Sequence, residues 1–150
     1  MSVIFGIREE NQIIIAGDKR GVTKEGDIIS DNWDKVVVVN DHLAFASAGN
    51  VAVEKALIIE ITKRSDVGTI CAEDFCELID QFYQRASLAG VGMIFSLPFY
   101  CIIAGKGRES GSKLISCGLF KSEFIWKEVP MALYPPSKAV HDECVNSFVR

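Results

Sequence analysis

Ser2 stands directly behind Met1, and Asp18, Lys35 and the Ala48-Gly49 pair follow it at wide, ordered intervals. Removal of Met1 would leave Ser2 with a hydroxyl nucleophile and a free α-amine on one residue. An α-amino group has a reference pKa of about 7.7–8.0, so near neutral pH a useful fraction is unprotonated and can accept the hydroxyl proton. Ser2 is therefore a candidate nucleophile that carries its own general base. Serine in second place is common, and the register with Asp18 and Lys35 is what singles this one out.

The other reactive residue types offer less. Cys71, Cys76, Cys101, Cys117 and Cys144 form no CxxC pair, are odd in number and have apolar neighbours, as in Phe99-Tyr100-Cys101-Ile102-Ile103. They read as buried, reduced thiols that act as small hydrophobes. A zinc site wants closer spacing and histidine partners. His42 reads as a turn residue and His141 as a helix-face residue, neither placed for a Ser/His pair. No metal and no organic cofactor is expected, and Ser110-Gly111-Ser112 is most simply a hairpin turn.

The bulk properties narrow the class. A chain of 150 residues, 49% of them apolar, is expected to form one domain over 1–150 with a real core. A net charge of −4 leaves no basic face for nucleic acid. The apolar stretch Ala89–Ile103 is short and broken by Gly90, Gly92, Ser96 and Pro98, so no membrane span is expected. The opening MSVIFGIREE lacks a basic segment ahead of an apolar one and so is not a signal peptide; a cytoplasmic location is expected.

These residues must be positioned by their elements. Residues Ser2–Arg8 and Gln12–Ala16 read as a hairpin that ends at Gly17-Asp18, followed by a polar loop from Lys19 to about Asp34. Lys35–Val39 and Leu43–Ala48 form a second hairpin. Gly49-Asn50 opens a largely buried helix to about Arg64, Ser65–Gly68 breaks it, and a second helix spans Ala72–Leu88. Its stripe includes Phe75, Phe82 and Tyr83, a core or a contact between stacked subunits. Strands follow at Phe99–Ala104, Lys113–Cys117 and Glu123–Lys127, then a last helix over Ser137–Phe148. This order favours an α+β fold of stacked hairpins with helices outside. The runs Ile13-Ile14-Ile15 and Val36–Val39 suggest sheets covered on both faces.

Four stretches carry a resemblance: Ser2-Val3-Ile4, Ile15-Ala16-Gly17-Asp18-Lys19-Arg20, Asp34-Lys35-Val36 and Ala46-Ser47-Ala48-Gly49. In order and spacing the chain resembles the proteasome β-subunit family, including the HslV-like peptidases, which are N-terminal nucleophile hydrolases. Sixteen positions from Ser2 to Asp18 and fourteen from Lys35 to Gly49 are the family's spacings, while the intervening loop is one residue longer. The resemblance implies an αββα four-layer sandwich, here lacking the last strands, and a threonine-type peptidase with Ser2 in place of the threonine. It implies that Lys35 is the buried cation beside the amine, Asp18 the carboxylate that holds it, and the Gly49 N–H an oxyanion donor. The physics suits these types: a lysine disfavours the protonated amine, a carboxylate offsets its burial, and a helix start favours an anion.

By the same resemblance Trp33, Val37, Ser47 and Val51 line the substrate pocket, which is then mainly apolar and favours cleavage after hydrophobic residues. The implied substrate is a peptide or unfolded protein, the assembly a ring homo-oligomer, and a further partner an ATP-dependent unfoldase. Three features depart from the family: serine for threonine, Met131–Ser137 in place of a Gly/Ser-rich stretch, and an end at Arg150 before further family strands. A degenerate, non-catalytic ring subunit and a small-molecule amidohydrolase on the same scaffold are therefore the alternative readings. For each residue the plain alternative also stands: Asp18 as a strand end, Lys35 as an exposed strand start and Gly49 as simple helix entry.

Overall fold

Short polar turns between β-rich runs leave neighbouring strands little choice but antiparallel pairing. The computed structural model describes residues 3–10, 12–23, 25–91, 98–120 and 123–134. Its strands are β1 (Ile4–Arg8), β2 (Ile13–Gly17), β3 (Gly21–Val22), β4 (Ile28–Ser30), β5 (Val36–Asn40) and β6 (Leu43–Gly49), followed by helices α1 (Val51–Thr62) and α2 (Ala72–Leu88). Strands β7 (Phe99–Lys106), β8 (Ser112–Phe120), β9 (Glu123–Glu128) and β10 (Met131–Tyr134) complete the described chain. They form a five-stranded sheet in the order β5-β6-β7-β8-β9, a three-stranded sheet β10-β1-β2, and the small β3-β4 pair.

Alternation along the central strands builds two cores. On β7, Cys101 and Ile103 face the helices and Ile102 faces the smaller sheet, each fully buried. The helix-side core packs Phe45, Leu57, Phe75, Ile79 and Ile115. The inter-sheet core packs Ile4, Ala46, Ile102, Leu114 and Ala132, with Ile15 and Tyr134 at its margin. Three layers result among the described residues: helices, large sheet, small sheet. Cys71, Cys76, Cys101 and Cys117 are free and buried, and Cys101 lies directly opposite Cys117 on β8. No described helix is long and apolar enough to cross a membrane.

The structure corrects the sequence reading in several places. The segment Lys19–Asp34 is not only loop: it carries the β3-β4 hairpin, whose turn is closed by the Gly26 N–H on the Thr23 carbonyl at 3.1 Å. Met131–Tyr134 is a strand, paired with β1 from Ile7↔Met131 to Ile4↔Tyr134. Coverage on both faces holds for the middle of the large sheet but not at the edges. Val38 on edge strand β5 is 74% exposed, and Ile14 on the outer face of the small sheet is 47% exposed. The expected last helix, Ser137–Phe148, lies outside the described residues.

Phe45 joins the layers, being fully buried with its ring 4.9 Å from that of Phe75 on α2. Phe45→Ala should therefore cost about 3–5 kcal/mol of unfolding free energy in a urea titration. A loss below about 1 kcal/mol would mean that the helix layer does not rest on this contact.

Candidate functional site

A lysine ammonium is costly to bury unless its donors meet acceptors and its charge a counter-charge. Lys35, at the entry to β5, has a side chain only 5% exposed. Its Nζ donates to Asp18 Oδ1 at 2.5 Å and to the Arg20 carbonyl at 2.8 Å. Two of its three donors are thus engaged by the turn that follows β2. The end of β2 can lie on the lysine because Gly17 has no side chain: a Cβ there would be 3.0 Å from Lys35 Cβ.

Asp18 is the junction of the site. Its Oδ1 also accepts from the Val3 N–H at 2.8 Å, its Oδ2 accepts from the Arg20 N–H at 3.3 Å, and its own N–H donates to the Val3 carbonyl at 3.0 Å. Burial pushes the Asp18 pKa up, but the bond from Lys35, the Val3 amide and the lysine charge outweigh it and hold the carboxyl below its ordinary value. Ser2 lies outside the described residues. The nitrogen of the peptide bond that joins it to Val3 is the one donating to Asp18.

Across the sheet, the Ser47 N–H donates to the Lys35 carbonyl at 3.0 Å, which sets the end of β6 beside the lysine. There the chain turns from strand to helix. Gly49 adopts φ +92°, and a Cβ on it would fall 2.3 Å from the Pro98 carbonyl oxygen, so only glycine fits. Asn50 caps α1 by accepting from the Val53 N–H at 3.3 Å.

Trp33, Lys35, Ser47, Gly49, Val51 and Glu54 line a pocket of about 50 Å³ at this corner. Glu54, 7% exposed, accepts from the Ser47 hydroxyl and, at 3.4 Å, from the Trp33 indole N–H. The Lys55 ammonium lies 5.3 Å from the Trp33 ring centroid.

The structure therefore brings Asp18 and Lys35 together, and gathers Gly49, Trp33, Ser47 and Val51 around the lysine. Val37 is not among them. It sits opposite Phe45, two residue pairs further along the strands, and packs against the core beneath the helices. The pocket is also less apolar than expected, because Lys35 and Glu54 are part of its wall. Glu54 was missed by the sequence reading, although a lone acid between Val53 and Leu57 on the buried stripe of an apolar helix was the available signal. The backbone partners Val3 and Arg20 leave no signal in residue types. His42 adjoins the far end of β6 from Gly49, and His141 lies outside the described residues. Among the described residues, no group of three or more His, Cys, Asp or Glu is placed to hold a metal ion.

With this geometry in view, the family comparison falls on the same segment. Residues 2–67 match the family model of proteasome subunits, a stretch that spans β1 to α1 and contains every side chain named in the site. This part of the chain is proteasome-subunit-like. No curated protein matches the chain.

The depressed Asp18 pKa fixes a pH signature. A carboxyl whose folded pKa lies below its unfolded value contributes stability above that unfolded value, and loses it as pH falls through the folded one. The stability difference between the wild type and Asp18→Asn should be full above about pH 5 and shrink below about pH 4. Urea midpoints of both proteins across pH 2.5–7, roughly the carboxylate range, provide the check. A difference that does not change with pH would remove the ion pair from the account.

Proposed function

We propose that this proteasome-like chain is a peptidase whose nucleophile is Ser2 after removal of Met1. The reading is supported by one observation above others: a continuous link from the Val3 amide through Asp18 to the Lys35 ammonium. In this proposal the Ser2 hydroxyl adds to a peptide carbonyl carbon while its own α-amine takes the hydroxyl proton. The oxyanion lies against the Gly49 N–H, near the positive end of α1. Collapse returns the proton to the leaving amine and gives an ester on Ser2. Water, deprotonated by the same α-amine, then hydrolyses that ester.

Lys35 has a distinct task in the scheme. A fixed positive charge beside an amine disfavours the ammonium form and so frees the base at a lower pH. Asp18 makes the buried lysine tolerable and orients it. On this reading the domain is an αββα four-layer sandwich, a cytoplasmic subunit that assembles into a homo-oligomeric ring. It cuts peptides or unfolded proteins, delivered by an ATP-dependent unfoldase. The stretch Met131–Ser137, of which Met131–Tyr134 pairs with β1 and brings Tyr134 opposite Ile4 at the site end, stands on this reading in place of the family's Gly/Ser-rich segment. That substitution favours the degenerate, non-catalytic subunit as the second reading.

Intact mass and N-terminal sequencing of protein from its own cells, with fluorogenic peptide and small-amide assays, separate these readings. The peptidase reading expects a chain starting at Ser2 and a peptide kcat/KM that rises with pH, with a midpoint below about 7.7. Ser2→Ala should lower turnover by about 10³-fold or more, and Lys35→Ala by about 10²-fold or more. Retained Met1 with no turnover supports the degenerate subunit. Small amides cleaved in preference to peptides support an amidohydrolase, and undiminished turnover in Ser2→Ala excludes Ser2 from either chemistry.

A further inference from the structure

At the end of the two sheets that carries Lys35, the small sheet is tied to the large one on both flanks of β1. On the β2 flank, Asp18 accepts from the ammonium of Lys35, which directly precedes β5 of the large sheet. On the β10 flank the tie is Tyr134, which stands opposite Ile4 where β10 pairs with β1. Its hydroxyl donates to the Cys117 carbonyl at 3.3 Å and, with its one hydrogen so used, accepts from the Ser116 hydroxyl. Both partners lie on β8 of the large sheet.

The ring of Tyr134 is held as well as its hydroxyl. It stacks on the ring of Tyr100, with centroids 4.8 Å apart and planes 20° apart. Tyr100 in turn lies opposite Ala48 on β6, next to Gly49, and opposite Gly118 on β8. Tyr134 thus reaches across the inter-sheet core to β7 and β8, in the same cluster as the fully buried Ile4. Burial pushes the Tyr134 pKa up, against the lowering effect of the Ser116 bond, so the phenol stays a neutral donor at working pH. The start of β1 is therefore held from two sides: the Val3 amide by Asp18 and Ile4 by the pairing with Tyr134. Loss of either tie frees the first residues of the strand to shift relative to Lys35.

We propose that Tyr134 is a positioning residue for Ser2, with the Ser116 hydroxyl and the Cys117 carbonyl as its anchor on the large sheet. The clasp fixes the start of β1 against Lys35, and so fixes the α-amine of Ser2 against the charge that frees it as a base. This rests on the peptidase reading above, and it gives the β10 strand a task within that reading. A misplacement of about 1 Å can cost about 10²-fold in rate, so a hydroxyl that never touches substrate can control turnover. When the clasp opens, the amine moves away from the lysine. Its pKa then rises toward the reference value of about 7.7–8.0, and the midpoint of the rate rises with it.

Three variants test this. Tyr134→Phe keeps the ring and removes the hydroxyl, Ser116→Ala removes the partner on β8, and Ile79→Val loosens the helix-side core instead. In each, Asp18 is titrated by carboxyl-carbon NMR and fluorogenic peptide turnover is followed against pH. Burial raises the Asp18 carboxyl, while the Lys35 bond, the Val3 amide, the Lys35 charge and the Arg20 amide hold it low. Of these, the Val3 amide is the one at the start of β1. Both clasp variants should raise the Asp18 pKa and the kcat/KM midpoint, each by about half a pH unit. They should lower kcat by about tenfold and change KM by less than about twofold, whereas Ile79→Val should move none of these. A higher Asp18 titration in both clasp variants, with no hydrolysis even by the wild type, upholds the clasp and removes the peptidase. Hydrolysis with Asp18 and turnover unchanged in the clasp variants overturns the positioning claim and leaves the peptidase. Equal effects from Ile79→Val, or a moved Asp18 with undiminished turnover, also overturn the positioning claim. An unmoved Asp18 without hydrolysis overturns both.

Discussion

A buried ammonium organises this corner of the molecule. Lys35 is nearly inaccessible to solvent, and its charge is met by Asp18 and the Arg20 carbonyl. That requirement fixes three parts of the chain at once. The end of β2 must close on the lysine, the first strand must lie where the Val3 amide reaches Asp18, and β5 must begin directly after the lysine. An ion pair so enclosed contributes little net stability over a well-packed apolar pair, because desolvation offsets most of the attraction.

The pocket extends the same logic to the helix layer. Glu54 is a second buried ionisable side chain, reached from the large sheet by Ser47 and from the β4–β5 connection by Trp33. The strand-to-helix turn at Gly49-Asn50 is tight because a carbonyl oxygen of Pro98 occupies the space a side chain would need. That turn carries the chain from the lysine's neighbour on β6 into α1, and Gly49 and Val51 on its two sides both line the pocket. Residues of the β3-β4 hairpin, the β4–β5 connection, β6 and α1 therefore line the candidate site together with Lys35.

Much of the scaffold was legible in the sequence. The isoleucine and valine runs gave the two hairpins, Asn50 gave the start of α1, and the second helix spans Ala72–Leu88 as its apolar stripe indicated. The meeting of Asp18 and Lys35 was legible only through a family resemblance, because no local periodicity relates residues on either side of the β3-β4 segment. That segment itself was read as loop since its ladders are two and three residues long, too short for alternation to show. β10 was missed because Met131-Ala132-Leu133-Tyr134 is apolar throughout and lies between prolines. Val37 was assigned to the pocket by family position alone, whereas in its register opposite Phe45 it packs, half-buried, against the helix-side core. Contacts made by main-chain groups, such as those of Val3 and Arg20, are set by the path of the backbone and cannot be read from residue types.

The central claim is that the Asp18–Lys35 couple serves a free amino-terminal serine. A peptide epoxyketone tests it most directly, since closing a morpholine ring requires a hydroxyl and an amine on the same residue. Peptide mapping of the treated protein should find one adduct, carried by Ser2 through both its oxygen and its α-nitrogen, and none in Lys35→Met. An adduct on a different residue, or an unmodified Ser2 still preceded by Met1, would contradict the account.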